Sequence, residues 1–483
     1  MRKILEIGVS LSAERDFNRL LDEILIRVME LTHCDAGTLY LRSGDVLNFK
    51  IMRNNTMKTY TGGDGGETNL PPVELERENV CALALIEGRT ISIENVRNCK
   101  DYDFSGPIRY DEITGYHTES MLVVPMRNRQ GEKIGVLQLI NALNDDGTVC
   151  AFAEDTVLAV ESVASQAAIA IQNMRYIEEI KELFHSFVQV MSSAIDERTP
   201  YNASHTRHMA EYGERFIDYL NQKSMEAKGR KVFSQNHKEE LLMSIWLHDI
   251  GKLVTPLEVM NKEARLTPSL YKDIRHRLEI IRLQEKIVRL EGGHSEEERL
   301  ETFRRIEEAQ ALIDQANTAG YVGPDLAEKL DELQRYSYQK EDGTKGSWLT
   351  GEEYKALTIP KGTLSDEERA IMEEHVVITD KLLSNISFSR ELSHVREWAA
   401  GHHELLNGSG YPHRLKGDEI PMEIRIISIL DIFDALVADD RPYKPGMPIK
   451  KALAILTDMA EKEGKLDVNM THLFIESHCW EGR

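Results

Sequence analysis

The sequence predicts a multidomain protein in which an α/β domain is joined by a long helix to an all-α domain that carries an inserted helical hairpin. Its 483 residues exceed what one hydrophobic core usually organises, so two or three domains are expected. Short apolar runs separated by turn residues, which are typical of strands, concentrate in the first third of the chain. Farther along, apolar residues recur mainly at spacings of three and four, which indicates helices.

The chain is acidic, and its composition excludes several classes of function. It has 59 basic and 81 acidic residues, a formal net charge of −22, which argues against nonspecific binding to a nucleic-acid polymer. The start of the chain lacks the apolar stretch of a signal peptide, and no segment is apolar for long enough to span a membrane. The five cysteines form no Cys-x-x-Cys pattern and indicate reduced thiols. We therefore expect a cytoplasmic protein without membrane contact.

Helices and strands alternate through residues 1–172. The predicted elements are a helix to about residue 30, a strand pair at 36–41 and 46–51, a loop at 60–78, a helix at 82–87, a strand at 90–93 and a strand pair at 120–125 and 133–141. This order resembles a GAF domain, as do the segments Gly115-Tyr116, Met126-Arg127-Asn128 and Ile134 to Ala142. The resemblance implies a small-molecule sensor and dimerisation domain.

The ligand of this first domain is left open by the sequence. GAF domains that bind cyclic nucleotides carry a pattern in which Asn is followed by Lys, whereas Asn141 is followed here by Ala142. Cyclic-nucleotide binding is therefore not expected in this domain. A sensor of another small molecule and a purely structural dimerisation domain are both retained as interpretations.

A long connecting helix, or two helices end to end, is predicted at residues 155–197. The stretch contains no Pro, and its apolar residues recur at threes and fours from Val157 to Phe184. One interpretation is a core helix of the first domain. Because the stripe is longer than one small domain needs, we favour a signalling helix that pairs with the same helix of a second subunit. A homodimer is therefore expected.

Histidine and aspartate motifs are spread over the predicted all-α domain. His402 and His403 precede Gly-Ser-Gly-Tyr-Pro, a run that ends a helix, so both should lie at a helix end within reach of a ligand. The other motifs are His205, His248-Asp249, His375 and Asp431. Imidazole and carboxylate groups at this density fit one or two divalent transition metals.

The order of these motifs, together with Gly410-Tyr411-Pro412, resembles the HD-GYP family, a branch of the HD phosphohydrolases. The resemblance covers roughly residues 185–475 with one large insertion. It implies a catalytic domain at 185–483 that hydrolyses cyclic di-GMP to linear pGpG, with GMP as a further product.

The same resemblance implies how two metal ions are bound in each subunit. The first would be held by His205, His248, Asp249 and Asp431, and the second by His375, His402 and His403. The two oxygens of Asp249 would bridge the metals. Members with three metals carry Glu four residues before the first histidine, where this chain has Tyr201, so two ions are expected. Histidine and carboxylate ligands without thiolate suit iron or manganese.

The expected reaction is in-line attack on a phosphodiester by a hydroxide that bridges the two metals. Asp249 and Lys252 are the predicted catalytic residues, Asp249 as the bridge and Lys252 as a contact to the substrate phosphate. A lysine that is merely on the surface is the alternative for Lys252.

Further contacts to substrate are predicted from the resemblance. Arg441 and Lys444 match phosphate-binding positions, and Tyr411 is expected to stack on guanine or to bond a phosphate, unless Gly-Tyr-Pro is only a rigid turn. Glu404 is expected to support a metal-binding histidine rather than to bind a metal.

Residues 264–350 are predicted to form an inserted arm, a helical hairpin with antiparallel helices. Thr267-Pro268 begins its first helix, and Ser295 with Glu298 forms a capping-box pattern for its second. His276 on this arm competes with His375 as a ligand, but His375 has the family's spacing to His402. The arm and the Gly-Tyr-Pro loop are candidate surfaces for a protein partner, with a merely solvated arm as the alternative.

The leading hypothesis is thus a cyclic di-GMP phosphodiesterase that its GAF domain regulates. One alternative is hydrolysis of another cyclic dinucleotide, such as cyclic GMP-AMP. The other is an adaptor that binds a cyclic dinucleotide or a protein without turnover. The presence of every expected metal ligand favours an enzyme over an adaptor.

Overall fold

The computed structural model describes residues 2–63, 66, 70–198, 204–292, 296–438 and 446–481. It divides into two compact units, Met1–Phe184 and His185–Arg483. The first unit is α/β, the second is helical apart from one strand pair, and a single long helix begins in the first and ends in the second. The predicted fold class is therefore confirmed. No helix of the described residues has both the length and the apolar character needed to cross a membrane.

A mainly antiparallel sheet organises the first unit. Its strands are β1 (Cys34–Ser43), β2 (Val46–Asn54), β3 (Thr59–Gly62), β4 (Val73–Glu74), β5 (Ile91–Ile93), β6 (Met121–Arg127), β7 (Lys133–Leu143) and β8 (Val149–Cys150). The strands lie in the order β3-β2-β1-β7-β6-β5, with β4 paired to β2 and β8 to β7. The predicted hairpins at 36–51 and 120–141 are both present, as β1 with β2 and β6 with β7.

Helices cover both faces of this sheet. They are α1 (Arg2–Ala13), α2 (Phe17–Thr32), α3 (Val80–Glu87), α4 (Ser105–Thr114) and α5 (Glu154–Asp196). Leu39 and Leu41 of β1 pack into the core shared with α2 and α5, and Tyr40 between them packs into the core shared with α3. Because side chains alternate along a strand and both faces are covered, β1 is buried almost throughout.

Two local predictions for this unit were wrong, and one helix was missed. The helix predicted to residue 30 is two helices, and Asp16 begins the second by accepting a hydrogen bond from the Arg19 N–H. The loop predicted at 60–78 contains the short strands β3 and β4. Helix α4 was not predicted, since its sequence has no clear apolar stripe.

Helix α5 is one continuous helix of 43 residues. In its first half, Val160, Val163 and Ile171 are buried in the core of the first unit. In its second half, six large apolar side chains are exposed, of which Ile177 is one and the other five form a regular stripe. The stripe consists of Tyr176, Ile180, Leu183, Phe187 and Val190.

The second unit is built from helices around one main core. The helices outside the insertion are α6 (His205–Lys228), α7 (Gln235–Leu247), α8 (Leu257–Met260), α13 (Asp366–Glu373), α14 (His375–Leu383), α15 (Val395–Ala400), α16 (Met422–Val437), α17 (Ile449–Glu461) and α18 (Val468–Ser477). Phe216, Phe433 and Phe474 pack together at the centre, which places α6, α16 and α18 side by side.

The insertion contains more than the predicted hairpin. Helices α9 (Pro268–Leu290) and α10 (Glu296–Thr318) are followed by α11 (Pro324–Arg335), by the strand pair β9 (Ser337–Gln339) and β10 (Lys345–Ser347), and, just past the predicted end of the insertion at residue 350, by α12 (Gly351–Leu357). These elements share a separate core that includes Leu278, Ile313 and Trp348. The predicted cap residue Ser295 lies outside the described residues.

Candidate metal centre

The His248-Asp249 motif lies at the end of α7. The helix ends at Leu247, His248 is its cap residue, and residues 250–253 turn into a short 3₁₀ helix. This change of direction turns the side chains of His248 and Asp249 into the interior, where they are 0% and 4% exposed. The motif therefore brings two ligand types to one buried point.

Six predicted ligands form two clusters. In each cluster one nitrogen or oxygen of every member lies within 4.8 Å of the others. The first cluster is His205, His248 and Asp249, and the second cluster is His375, His402 and His403. His276, the competitor of His375, is exposed on α9.

Asp249 lies between the two clusters. Its Oδ2 is 3.1 Å from His248 Nε2 and 3.8 Å from His205 Nε2, in the first cluster. Its Oδ1 is 3.4 Å from His375 Nε2 and 3.8 Å from His402 Nε2, in the second cluster. One carboxylate thus presents a different oxygen to each cluster, which is the geometry that a bridging ligand needs.

Asp431 also faces both clusters. It lies on α16, where its Oδ1 is 3.3 Å from His205 Nε2 and its Oδ2 is 3.6 Å from His403 Nδ1. The sequence placed Asp431 with the first metal alone. The structure puts its second oxygen toward the second cluster as well.

Three of the histidines are fixed from behind by backbone carbonyls. The Nδ1 atoms of His248, His375 and His402 lie 2.7, 2.6 and 2.7 Å from the carbonyl oxygens of the residues three positions earlier. A carbonyl oxygen only accepts, so each Nδ1 carries a hydrogen, and Nε2 is the nitrogen left to bind a metal. All three Nε2 atoms lie within 3.8 Å of an oxygen of Asp249.

This donor set fits a pair of metal ions. His248 Nε2 and Asp249 Oδ1 are buried without a hydrogen-bond partner, and such groups are costly unless something binds them. His375 Nε2 and His402 Nε2 are 3.4 Å apart, and two lone pairs at that distance repel unless a cation lies near both. Imidazole and carboxylate groups without thiolate are ligands of divalent transition metals.

Electrostatics keep the second cluster neutral. Burial is the largest influence on these imidazoles and lowers the pKa of His375, that of His402 strongly, and that of His403 to about 4. Neutral imidazole is the form that binds a metal. Around neutral pH, the imidazoles of this cluster therefore do not have to lose a proton before they bind a metal ion.

The carboxylates are held ionised by their neighbours. Burial raises the pKa of Asp249, but nearby His248 and Lys252 outweigh it and hold the pKa well below its usual range. For Asp431, burial likewise raises the pKa, and the hydrogen bond from His205 together with the charges of His205, His402 and His403 outweighs it, so the pKa is lowered. Both groups are therefore available as anionic ligands.

His205 differs from the other histidines because carboxylates surround it. Its Nδ1 lies 2.7 Å from Asp434 Oδ2, and its Nε2 lies 3.3 Å from Asp431. Burial lowers the pKa of His205, but these two hydrogen bonds outweigh it and raise the pKa to about 10. Metal binding at Nε2 must therefore release a proton.

Lys252 lies beside the bridge. Its ammonium nitrogen is 2.5 Å from Asp249 Oδ2, and its side chain is 19% exposed against 6% for Asp249. It reaches this place from the 3₁₀ turn rather than from a continued helix. A cation thus lies at the accessible side of the two clusters.

The Gly-Tyr-Pro loop packs against the histidine pair. The rings of Tyr411 and His403 are 4.8 Å apart, and the Tyr411 N–H donates to the His403 carbonyl. A Cβ on Gly410 would lie 2.5 Å from the same carbonyl oxygen, so only glycine fits there. The loop is therefore rigidly placed at the second cluster.

Glu404 supports this loop rather than a metal histidine, contrary to the prediction. It is 2% exposed, and its two carboxylate oxygens accept hydrogen bonds from the backbone N–H groups of His413 and Leu415, at 2.7 and 2.9 Å. The carboxylate follows the histidine pair directly in sequence, but it turns toward the returning loop.

Asp434, which bonds the Nδ1 of His205, was not among the predicted residues. The signal was present, because Asp434 follows Asp431 by three residues and so shares its face of α16. Two hydroxyls were missed as well. Thr379 donates to the His248 carbonyl at 3.1 Å, and Ser428 donates to the His402 carbonyl at 2.6 Å.

Gly251 was also missed, and it explains how the clusters are held together. A Cβ at this position would lie 1.9 Å from the His375 carbonyl oxygen, so the turn after Asp249 lies directly on α14. The Gly251 N–H donates to Thr379 Oγ1 at 3.0 Å. Three predicted residues, Tyr201, Arg441 and Lys444, lie outside the described residues.

Comparisons with known proteins agree with this division of the chain. The GAF domain family matches residues 16–171, and the HD domain family matches residues 351–470, which include the second cluster. Over 103 residues the chain is 43% identical to the 3′3′-cGAMP-specific phosphodiesterase 3 of Vibrio cholerae serotype O1, covering 21% of this chain and 22% of that protein.

Two further relatives carry a different substrate in their names. The chain is 36% identical over 110 residues to a cyclic di-GMP phosphodiesterase of the same Vibrio cholerae, covering 21% of this chain and 22% of that protein. It is 39% identical over 106 residues to the cyclic di-GMP phosphodiesterase of Thermotoga maritima, covering 22% of this chain and 28% of that protein. The matched segments therefore span between 22% and 28% of the relatives' own length.

Proposed function

Taking this chain as a protein with a GAF domain followed by an HD domain, we propose that it hydrolyses the phosphodiester bonds of a cyclic dinucleotide. Cyclic di-GMP is the leading substrate, with pGpG as the first product and GMP as the product of a second cleavage. The observation that carries the proposal is Asp249, whose two oxygens each face a separate group of metal-binding side chains. The substrate class is inferred from relatives that are named as phosphodiesterases of cyclic dinucleotides.

Two divalent ions, with iron and manganese the best matches to these ligands, would supply a strong nucleophile from water near neutral pH and neutralise charge on the phosphoryl oxygens. In this proposal the first cluster holds one ion and the second cluster the other. Asp249 and Asp431 lie between them. The chain's own part is to fix these donors, which the backbone carbonyls and Asp434 do from behind.

Lys252 is proposed to bind the substrate phosphate. It is the cation described at the accessible side of the site, beside Asp249. A chain of net charge −22 repels an anionic dinucleotide, so a local ammonium group is needed to attract the phosphate. Arg441 and Lys444 remain predicted to assist it.

Tyr411 is proposed to contact the nucleotide. It lies 4.8 Å from the His403 ring, so a base stacked on it would place its phosphate beside the clusters. Burial raises the pKa of Tyr411, so its hydroxyl stays protonated and able to donate a hydrogen bond.

Cyclic GMP-AMP is a second candidate substrate, because relatives named for it match the chain as well as those named for cyclic di-GMP. Over the matched segments, three relatives named for 3′3′-cGAMP are 37–43% identical to this chain, and four named for cyclic di-GMP are 33–40% identical. These values overlap too closely to rank the substrates. The GAF domain is proposed to regulate the hydrolysis, with a ligand that the chain does not identify.

The test is a hydrolysis panel on metal-loaded protein. Cyclic di-GMP, 3′3′-cyclic GMP-AMP and 3′,5′-cyclic GMP would be incubated with it and the products separated by chromatography. We expect linear products from at least one dinucleotide and none after chelation. Binding of a dinucleotide without any product would support the adaptor instead, and cleavage of cyclic GMP alone would contradict the proposed substrate class.

A further inference from the structure

The end of helix α5 contacts the segments that carry the first cluster. We propose that Asp196 and Arg198 are positioning residues, which fix His205 and Lys252 relative to Asp249 and through which any displacement of α5 reaches the metal centre. The proposal rests on the proposed function for its kinetic consequences, but its structural core concerns metal binding alone.

Asp196 acts as the cap of the helix that begins with His205. It is 5% exposed, and its carboxylate accepts hydrogen bonds from the Thr206 N–H at 3.1 Å and from the Thr206 hydroxyl at 3.0 Å. Ser204, at the cap position of α6 itself, forms no side-chain cap bond. The first turn of α6 is therefore fixed by a side chain from α5, next to a metal ligand.

Arg198 holds the turn that follows Asp249. Its Nη1 donates to the carbonyls of Lys252, at 2.7 Å, and of Leu253, and its Nη2 donates to the carbonyl of Thr255 at 3.4 Å. A guanidinium presents its donors in a rigid planar fork, so contacts to three carbonyls fix the direction of the turn. That turn carries Lys252.

A third contact joins α5 to the other side of the same motif. The Ser192 hydroxyl donates to the carbonyl of Trp246, two residues before His248. The segment from Ser192 to Arg198 thus bonds to the chain just before His248, just after Asp249 and just after His205. No element of the insertion is involved in these contacts.

Helix α5 is unbroken from Glu154 to Asp196. A rotation or shift of its end would therefore move the start of α6, with His205, and the turn after Asp249 together. Groups that orient metal ligands are costly to remove, and losing one reduces metal affinity or activity by about 10- to 100-fold. If a contact served folding alone, its removal would lower stability without changing metal affinity or activity.

The experiment compares Asp196→Asn, Arg198→Lys and Arg198→Ala with Glu197→Gln. Glu197 lies between the two positions and is exposed, so its variant is a matched control. Manganese(II) affinity would be measured by calorimetry on metal-free protein, and kcat and KM would be measured on the active dinucleotide. Circular dichroism would confirm that each variant is folded.

We expect Asp196→Asn to weaken manganese(II) binding by about 10-fold or more, since the amide replaces one acceptor with a donor facing Thr206. Arg198→Ala should lower kcat by about 10-fold or more while KM changes less, and Arg198→Lys should restore part of the loss. Folded variants that match Glu197→Gln in both affinity and kcat would overturn the proposal, as would losses confined to melting temperature.

The metal measurement separates this inference from the proposed function. If wild-type protein hydrolyses no dinucleotide, the proposed function fails, while the manganese(II) affinities of the same variants still support or reject the positioning role. If wild-type protein is active and the variants bind and turn over normally, the positioning role fails alone.

Discussion

At the scale of single residues, the proposed binding of the substrate phosphate depends on which charged side chains lie beside Asp249. Lys252 is the described cation nearest the bridge, yet a lysine cannot bind a metal ion. Its proposed partner is therefore the substrate phosphate, on which negative charge grows during attack. Arg441 is predicted to act in the same way from a part of the chain that the structure does not describe.

We predict that Lys252→Ala leaves the metal content unchanged and lowers kcat/KM. Losing one hydrogen bond to a charged group costs on the order of 1.5–3 kcal/mol, or roughly ten- to a hundred-fold in kcat/KM. Elemental analysis and steady-state kinetics on the active dinucleotide check both halves. If metal is lost together with activity, Lys252 instead helps to hold the metal ligands of the two clusters in place.

Arg441→Ala is expected to behave like Lys252→Ala in the same two assays, for the same reason. If Arg441→Ala keeps wild-type kinetics, the phosphate contact passes to Lys444, and the double variant should then show the loss. If the double variant also keeps wild-type kinetics, neither Arg441 nor Lys444 binds the substrate.

At the scale of elements, the exposed face of α5 predicts how the protein assembles. Tyr176, Ile180, Leu183, Phe187 and Val190 are separated by four, three, four and three residues, which is the heptad spacing of a coiled coil. All are at least half exposed, although they are large and apolar. A second copy of the same helix, parallel and in register, would cover them.

We predict a dimer that Ile180→Asp with Leu183→Asp disrupts. Charges at the heptad core positions repel across the helix pair, so light scattering at micromolar concentration should give a dimer for wild type and a monomer for the double variant. Gln189→Asp, an exposed change outside the stripe, is the control and should stay dimeric. A monomeric wild type would contradict the interpretation of α5.

The insertion gives a prediction about pH. Arg277 on α9 bonds Glu353 on α12 through two nitrogens, at 2.7 and 2.9 Å, and Glu353 is 1% exposed. Burial raises the pKa of Glu353, but Arg277 and the backbone of Thr350 outweigh it and lower the pKa. A lowered carboxyl pKa stabilises the fold above the unfolded value, about 4.3, and this contribution is lost as pH falls through the folded pKa.

Glu353→Gln should therefore destabilise the protein by about 3 kcal/mol at pH 6, because it leaves Arg277 buried without its counter-ion. The difference between wild type and variant should shrink as pH falls below about 4.3, since protonated Glu353 resembles Gln. Denaturant unfolding of both proteins between pH 6 and pH 3 measures this difference. A difference independent of pH would show that the ion pair contributes nothing.

At the scale of the whole molecule, the sequence predicted what local patterns encode. The strand pairs, the long helix and the metal motifs are short-range signals of period two, period three to four, or residue type. The contacts that hold the ligands could not be predicted because the partners are distant in sequence: Asp434 and His205 are 229 positions apart, and Thr379 and His248 are 131 apart. Only packing brings such pairs together.

Two other misses have local causes. Helix α11 was missed although its leucines recur at spacings of four and three residues, and strands β9 and β10, of three residues each, are too short to show an alternating pattern. Glu404 was assigned by its neighbours in sequence, whereas the loop that it bonds returns nine and eleven residues later. Adjacency along the chain was a poor guide to what this side chain contacts.

In the proposed function, Asp249 joins two metal ions into one hydrolytic site. Elemental analysis of reconstituted wild type and Asp249→Ala, with dinucleotide turnover measured on the same samples, tests this role. We predict two ions per chain and turnover in wild type, and in the variant a loss of bound metal and of turnover with an unchanged circular dichroism spectrum. Three tightly bound ions in wild type, or a variant that keeps both ions and turns over within a few-fold of wild type, would contradict the account.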